Sequence, residues 1–211
     1  MATVMTHRGP DGHGAFVDDG IALGHRRLSI IDVDGGVQPM TTQDGRYTIC
    51  YNGEVYNYVE LREQLKAGGY VFQTQSDTEV VLALFARDGV ECLKSLNGMF
   101  AFAVWDREKR TVFLARDRLG IKPLYYTMDR GDLVFASEMK GLFPHPGVQR
   151  DTDLLSLSKF LTYMYVPAPH TIYRSVAKLE PGPICMATSG VGRRIRIGTF
   201  RFRTTLWVVC R

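Results

Sequence analysis

The pattern of apolar and polar positions predicts alternating strands, turns and short helices up to about residue 182. Residues 14–32, GAFVDDGIALGHRRLSIID, predict a hairpin of two apolar strands joined around residues 18–20. Residues 46–57, RYTICYNGEVYN, alternate as far as Tyr51 and then reach Asn52-Gly53, a pair typical of turns. Further strands are predicted at 98–106, 111–117, 123–129 and 132–137.

Two helices are predicted from their end signals. The first covers 57–68, where Asn57 is placed to cap the helix and Gly68-Gly69 to end it. The second covers 77–88, because Ser76 and Glu79 form a capping-box pattern. Its apolar face consists of Val80, Val81, Leu84 and Phe85.

Shorter helical segments are predicted around 137–143 and at 152–163. Strands and helices mixed without a regular β-α-β period indicate an α+β fold with mostly antiparallel sheets. The 211 residues suffice for one domain of good size. No run of 18 apolar residues and no secretory signal occurs, and the four cysteines form no CxxC pair; we therefore expect a cytoplasmic protein without a membrane span.

The last segment of the chain, residues 183–211, differs from the body. All 22 acidic residues precede it and six arginines lie in it, so residues 1–180 carry about −2 of the net charge of +4. Residues 1–182 are therefore interpreted as one domain and 183–211 as a divergent basic tail. A strand with an arginine at every second position has no evident partner, and an out-of-frame origin of the tail is our hypothesis.

Candidate catalytic chemistry is restricted by the motifs that are missing. No GxSxG, HExxH, Walker A or GxGxxG pattern occurs, and no histidine pair has metal-ligand spacing, so no metal site is predicted. Arg27 follows a predicted strand and is either a solvated charge or a bidentate clamp for a carboxylate.

Two further positions allow both a structural and a functional interpretation. Asn52-Gly53 is either a turn or an oxyanion hole, in which an amide side chain and a backbone N–H face one developing negative charge. Asp77 either stabilises the helix dipole or accepts a hydrogen bond from a ligand ammonium. Together with a clamp at Arg27, these groups describe a site for an α-amino acid with a reactive side-chain carbonyl, as in glutamine or asparagine hydrolysis.

Seven ordered motifs then identify a resemblance that covers residues 5–182. The motifs are HRGPDGHG (7–14), GHRRLSIID (24–32), YNGEVYN (51–57), SDTEV (76–80), LNGMFAFAVWD (96–106), RDRLGIKPLYY (116–126) and SEMKGL (137–142). With these motifs the chain resembles the N-terminal glutaminase domain of glutamine-hydrolysing asparagine synthetases, which are class II glutamine amidotransferases of the N-terminal-nucleophile fold.

The resemblance implies a role for each matching site residue. Arg27 would bind the α-carboxylate of glutamine and Asp77 its α-ammonium, while Asn52 and Gly53 would form the oxyanion hole. Glu54 would contact the substrate. The backbone of residues 28–31 would line the pocket, and its members are Leu28, Ser29, Ile30 and Ile31.

The resemblance also implies parts that this sequence does not contain. The family fold is a four-layer α-β-β-α sandwich, and we expect this chain to lack its first strand and helix, being truncated at both ends. The family nucleophile is an N-terminal cysteine whose own amine acts as the base, whereas this sequence begins MATVMTHRG. ATP and Mg²⁺ are expected only for the synthetase domain, normally in the same chain, and this portion is expected to need no cofactor.

Three functional hypotheses follow from the sequence. The first is the glutaminase portion of an asparagine synthase, hydrolysing glutamine to supply ammonia for ATP-dependent amidation of aspartate and inactive as an isolated chain. The alternative is a non-catalytic paralogue that at most binds glutamine. Nucleic-acid binding through the arginine tail is the least favoured, because the tail lacks the corresponding fold pattern. No nucleic acid or membrane partner is expected, and the full-length protein is compatible with a homodimer.

Overall fold

The structure, a computed structural model, describes residues 1–129 and 132–181, together with the strand backbone at 185–189, 200–202 and 206–210. The helices are α1 (Tyr58–Ala67), α2 (Asp77–Asp88), α3 (Met139–Leu142) and α4 (Leu154–Tyr163). The first strands are β1 (Gly12–Asp18), β2 (Ile21–Arg27), β3 (Met40–Thr41), β4 (Tyr47–Val55), β5 (Gly98–Asp106) and β6 (Thr111–Arg116). The others are β7 (Tyr125–Asp129), β8 (Asp132–Ala136), β9 (Ala177–Lys178), β10 (Cys185–Ser189), β11 (Phe200–Phe202) and β12 (Leu206–Cys210).

These strands form two sheets in a mixed α/β fold. The first sheet has the order β1-β2-β12-β8-β7-β9 and the second the order β11-β10-β6-β5-β4-β3. Pairs within the body of the chain are antiparallel, as predicted, and β12 pairs in parallel with both β2 and β8. The expectation that the arginine-alternating segment has no strand partner is wrong for its described strand β11, which pairs with β10 at the edge of the second sheet, while β12 lies in the first sheet between β2 and β8.

Three apolar clusters hold these elements together. One draws on both sheets, with Leu23 of β2, Trp105 of β5 and Phe135 of β8 among its members. A second joins the opposite faces of β4, β5 and β6 to α1 and α2. The third packs β8 against α3 and the N-terminal turn at Ala2–Met5. Burial of apolar area in these clusters is the main force that keeps the site elements in place.

The predicted hairpin and both main helices are confirmed. β1 and β2 pair from Gly12↔Arg27 to Asp18↔Ile21, and α2 spans the predicted 77–88. Ser76 caps α2 by accepting a hydrogen bond from the Thr78 N–H at 3.2 Å. The second half of the capping box is wrong, because the Glu79 carboxylate accepts hydrogen bonds from Gln73 N and Thr74 N of the preceding loop instead.

Two local interpretations of turn and cap residues are also wrong. β4 continues through Asn52-Gly53 to Val55, because both residues pair with β5. Glycine is required at position 53 for close strand approach, since an added Cβ would lie 2.4 Å from the Met99 carbonyl oxygen. Asn57 makes no side-chain cap on α1; its amide joins the segment before β5 through Ser95 O and Asn97 N.

Candidate functional site

A cleft opens where the end of β2, the middle of β4 and the first turn of α2 meet. Together with space open to solvent it measures about 580 Å³. Eight of the nine residues predicted for the site line it: Arg27, Leu28, Ile30, Ile31, Asn52, Gly53, Glu54 and Asp77. Elements separated by up to fifty residues along the chain therefore converge on the cleft.

Ser29 is the predicted site residue that lies elsewhere. It lines a neighbouring cleft beside Asp11 and His13. Its backbone N–H donates to the Asp11 carboxylate at 2.8 Å. The backbone of residues 28–31 thus contributes to two clefts, with Ser29 on the second.

Arg27, the last residue of β2, is held by the loop that follows it. Its guanidinium donates to the carbonyl oxygens of Val33, at 2.5 Å, Ile31, at 3.2 Å, and Asp32. These contacts engage three of the five N–H groups that a guanidinium offers. The side chain is thereby oriented at the cleft, and its charge is balanced by carbonyl dipoles rather than by a carboxylate.

The glycine-rich segment at 7–14 supports Arg27 from behind. The Asp11 N–H donates to the Arg27 carbonyl oxygen at 3.0 Å. Gly9 packs on the same peptide, since an added Cβ would lie 2.3 Å from the Arg26 carbonyl carbon. At its start, the segment is fixed to Glu138 by an ion pair with Arg8 at 2.9 Å. This segment therefore positions the end of β2, although its own residues line only the neighbouring cleft and not the one that holds Asn52 and Asp77.

Asn52 lies in the centre of β4 and is buried. Its side-chain nitrogen is 3.5 Å from the Ser137 hydroxyl, a long contact that leaves the amide oriented by its surroundings more than by one strong bond. Gly53 and Glu54 follow it along the same strand. Both Asn52 and Gly53 line the cleft, Asn52 with an amide side chain and Gly53, which has no side chain, with its backbone.

Asp77 is the most buried charged group of the cleft, with only 4 % of its surface exposed. Its carboxylate accepts hydrogen bonds from the Tyr51 hydroxyl at 2.8 Å and from the Val55 N–H at 3.1 Å. Burial raises the pKa of Asp77, although these bonds oppose the shift. The nearby Glu54 carboxylate raises the pKa further. A cationic group entering the cleft would relieve both effects.

Several lining residues were not predicted as site residues. They are His25, Gly36, Gln38, Tyr51, Ser76, Thr78, Met99 and Lys122. His25, Tyr51 and Ser76 stand next to or within the motifs at 24–32, 51–57 and 76–80, which was the available signal. Thr78, Met99 and Lys122 also lie within quoted motifs, whereas Gly36 and Gln38 lie outside all of them and only the fold brings them to the cleft.

Within residues 1–129 and 132–181 and the described strands, no cluster of three or more His, Cys, Asp or Glu side chains is arranged to hold a metal ion. In the same part of the chain, no helix combines the length and apolar character needed to cross a membrane. The cleft therefore presents organic donors and acceptors: guanidinium, amide, hydroxyl and carboxylate.

Comparison with known proteins gives a family match over most of the chain. The family model described as "Glutamine amidotransferase domain" matches residues 1–195. Asparagine synthetase [glutamine-hydrolyzing] 1 of Bacillus subtilis is 46 % identical over 184 residues, which are 86 % of this chain and 29 % of that protein. Asparagine synthetase B [glutamine-hydrolyzing] of Escherichia coli is 48 % identical over 145 residues, covering 68 % of this chain and 26 % of that protein.

A solved structure shares the fold. It is the glutamine phosphoribosylpyrophosphate amidotransferase of Bacillus subtilis, determined with ADP and GMP, and it superimposes with a TM-score of 0.50 at 25 % identity. The superposition covers 60 % of this chain and 35 % of that one. This chain spans less than a third of the length of the asparagine synthetases it matches.

Proposed function

The chain belongs to the glutamine amidotransferase domain family, and we propose that it is the glutaminase portion of an asparagine synthetase. In this role it binds glutamine so that hydrolysis of the side-chain amide supplies ammonia for ATP-dependent amidation of aspartate. The observation that carries the proposal is the convergence of Arg27, Asn52, Gly53 and Asp77 on one cleft. These groups complement the carboxylate, the amide carbonyl and the ammonium of glutamine.

Each group has a distinct part in binding and in the chemistry. Arg27 binds the α-carboxylate, because a guanidinium pairs with a carboxylate through two parallel hydrogen bonds. Asp77 accepts the α-ammonium, with Glu54 contacting the substrate beside it. The Asn52 side chain and the Gly53 backbone N–H donate to the amide oxygen as it becomes an oxyanion, the step at which fixed donors lower the barrier most.

The Arg27 guanidinium already has hydrogen-bond partners when the carboxylate binds. It is bonded to the carbonyls of Ile31, Asp32 and Val33. The incoming carboxylate takes up the remaining N–H groups or displaces one of these neutral acceptors. A charged acceptor forms the stronger bond to a guanidinium, so the exchange favours the ligand.

The nucleophile is not assigned to a residue of this sequence. By resemblance it is an N-terminal cysteine, whereas Cys50 and Cys92 are both buried and neither lines the cleft. Burial raises the pKa of the Cys92 thiol to about 12, which keeps it protonated and unreactive. The chemistry proposed for the described residues is therefore substrate binding and oxyanion stabilisation.

The finer architecture and the wider setting belong to the same proposal. The three apolar clusters support four layers, with α1 and α2 outside one sheet and α3 outside the other, as in the N-terminal-nucleophile sandwich. ATP and Mg²⁺ are assigned to the synthetase portion that the relatives carry beyond the matched region. A cytoplasmic location and a homodimer of the full-length protein complete the proposal.

Calorimetric titration of the 211-residue chain with L-glutamine tests the site. We expect saturable binding, weakened about 30-fold or more by Asp77→Asn, because loss of one partner of a buried charge pair costs about 2 kcal/mol or more. Asp88→Asn at the other end of α2 is the control, since Asp88 pairs with the adjacent Arg87 outside the cleft. Absence of binding to the wild-type chain, or equal binding by both variants, would contradict the proposal.

Ammonia release by the full-length protein separates the proposed glutaminase from a non-catalytic paralogue. Both bind glutamine, but only the glutaminase releases ammonia and glutamate from it. Substitution of Asn52 by Ala in that protein should lower the turnover number about 100-fold, the usual effect of removing one oxyanion donor. An unchanged turnover number would remove Asn52 from the oxyanion hole.

A further inference from the structure

Tyr51 lines the cleft and forms a hydrogen bond with Asp77 that its membership of the motif at 51–57 did not indicate. Its hydroxyl donates to Asp77 Oδ2 at 2.8 Å, and its side chain forms part of the wall of the cleft. Asp77 is the first residue of α2 and Tyr51 is in β4, so this bond joins the two elements that carry the ammonium acceptor and the oxyanion donors. The Val55 N–H, 3.1 Å away, is the second donor to the same carboxylate oxygen.

Tyr51 is itself fixed through its backbone and its ring. Its N–H donates to Gln38 Oε1 at 2.7 Å, and its carbonyl oxygen is 3.2 Å from His25 Nε2. The Gln38 amide also contacts the Thr78 hydroxyl at 3.3 Å, so it joins β4 to the first turn of α2. The ring packs near Phe102, with 6.5 Å between the ring centroids. These contacts restrict the Tyr51 side chain and therefore fix the position of its hydroxyl.

The hydroxyl also stays a donor throughout the physiological range. Burial, followed by the neighbouring Asp77 charge, holds the pKa of Tyr51 well above its usual value. A protonated phenol beside a buried carboxylate can only donate to it, which stabilises the ionised form of the carboxylate. The same bond fixes the carboxylate orientation before any ligand enters, so less conformational freedom is lost on binding.

We propose that Tyr51 is a positioning residue for recognition of the substrate's α-ammonium, acting by holding the Asp77 carboxylate ionised and aimed into the cleft. This inference rests on the proposed function, since it takes glutamine as the ligand. It assigns to Tyr51 a role in discriminating between ligands, which a purely structural hydroxyl would not have. A structural hydroxyl would affect all ligands of the cleft equally.

Two ligands that differ only in the ammonium group separate these roles. L-Glutamine carries the α-ammonium, whereas 4-carbamoylbutanoate has the same amide and carboxylate without it. Affinities of both for the 211-residue chain are measured by calorimetry with the wild type, Tyr51→Phe and Asp77→Asn. Tyr47→Phe is the matched control, because Tyr47 lies in the same strand, packs edge-on against Phe85 and does not line the cleft.

We expect Tyr51→Phe to weaken L-glutamine binding about tenfold, in line with one lost hydrogen bond to a charged group. Binding of 4-carbamoylbutanoate should change less than about twofold. Asp77→Asn should show the same selectivity with a larger loss, and Tyr47→Phe should leave both affinities unchanged. The phenyl ring keeps the contact with Phe102, and the ratio of the two affinities is independent of the folded fraction of each variant.

The outcomes separate the two proposals. If the wild type binds L-glutamine and Tyr51→Phe keeps the wild-type ratio of affinities, the role of Tyr51 is overturned while the proposed function stands. An equal loss of affinity for both ligands is one such result, and it would mean that the hydroxyl is a structural group. If the wild-type chain binds no L-glutamine, the proposed function fails and the role of Tyr51 fails with it.

Discussion

The loop at 27–36 and the loop at 116–122 are built with the same pair of side chains and serve different ends. Each begins with an arginine that donates to three backbone carbonyls, and each contains an aspartate that accepts backbone N–H groups. Arg116 donates to the carbonyls of Gly120, Lys122 and Leu179. Asp117 accepts from four N–H groups, those of Phe100, Leu119, Ile121 and Lys122.

The two loops differ in how far these hydrogen bonds reach and in how deeply the aspartate is buried. Arg116 reaches Leu179, 63 residues away, and burial lowers its pKa. Asp117 is 2 % exposed and does not line the cleft. The Arg27 guanidinium instead donates to carbonyls within the next six residues, and Asp32 is only half-buried. The same pair of side chains therefore connects distant parts of the fold at Arg116 and Asp117, and it stays nearer to one loop at Arg27, where the proposed carboxylate ligand would bind.

Removal of the buried aspartate should have the largest effect. Asp117→Ala removes the buried carboxylate that accepts these four hydrogen bonds, and a bond to a charged group contributes about 1.5–3 kcal/mol, so we expect a loss of about 4 kcal/mol or more in the free energy of unfolding. Denaturant titration measures the loss. Asp32→Ala is the counterpart in the exposed loop, where Asp32 accepts from Gly35 and Gln75. A loss as large for Asp32→Ala as for Asp117→Ala would break the comparison.

Lysine substitution at the two arginines should have opposite consequences. Arg27→Lys should weaken L-glutamine binding about tenfold, because lysine cannot pair bidentately with a carboxylate. Its free energy of unfolding should change by less than about 1 kcal/mol, since the loop carbonyls turn to water. Arg116→Lys should lower the free energy of unfolding by about 2 kcal/mol, as the part-buried carbonyls of Gly120, Lys122 and Leu179 lose their donors. Calorimetry and denaturant titration of both variants measure these effects, and matching profiles would contradict the distinction.

A change of pH should have the smallest effect on L-glutamine binding, and this effect should come from the titratable groups of the cleft. The pKa of Asp77 is raised above the 3.8 of an ordinary aspartate, so its carboxylate becomes protonated at a higher pH. As the pH is lowered through this range, the affinity for L-glutamine should fall by at most about tenfold per pH unit. Calorimetry over a pH series measures this, with Asp77→Asn as the control. The other titratable groups of the cleft are His25, Arg27, Tyr51, Glu54 and Lys122. An unchanged pH profile in Asp77→Asn would assign the dependence to one of them.

The same raised pKa has a consequence for stability with the opposite sign. The folded state holds the Asp77 proton more tightly than the unfolded state, so the contribution of Asp77 is greatest below the unfolded pKa and is lost as pH rises through the folded pKa. The stability of Asp77→Asn relative to the wild type should therefore increase with rising pH, although this variant is expected to bind glutamine more weakly. Falling relative stability over that range would contradict the raised pKa.

Local sequence signals were sufficient to predict the elements that are decided by residues a few positions apart. Ser76 places the start of α2 because its hydroxyl satisfies an N–H within two residues, and Gly89, with φ of 61°, ends the helix. The hairpin at β1 and β2 follows from alternation around a two-residue turn. In each case the stabilising contact lies a few residues away, so it is visible in the order of residues.

Long-range pairing overruled local signals elsewhere. Asn52-Gly53 has the composition of a turn, but β5 supplies partners for both residues and the strand continues. Asn57 has the composition of a cap, but its amide is used by Ser95 and Asn97. A propensity expresses a preference of about 1 kcal/mol, which a complete set of sheet hydrogen bonds and a buried face exceed.

The sequence by itself determined the family, the main helices and strands, and the residue types that a glutamine site needs, because motifs and periodicity are written in the order of residues. Only the tertiary structure decided that Arg27, Asn52, Gly53 and Asp77 share a cleft, that Ser29 lies beside another, and that Tyr51 bonds to Asp77. Those facts depend on how β2, β4 and α2 pack, and packing is settled by contacts between residues far apart in the chain.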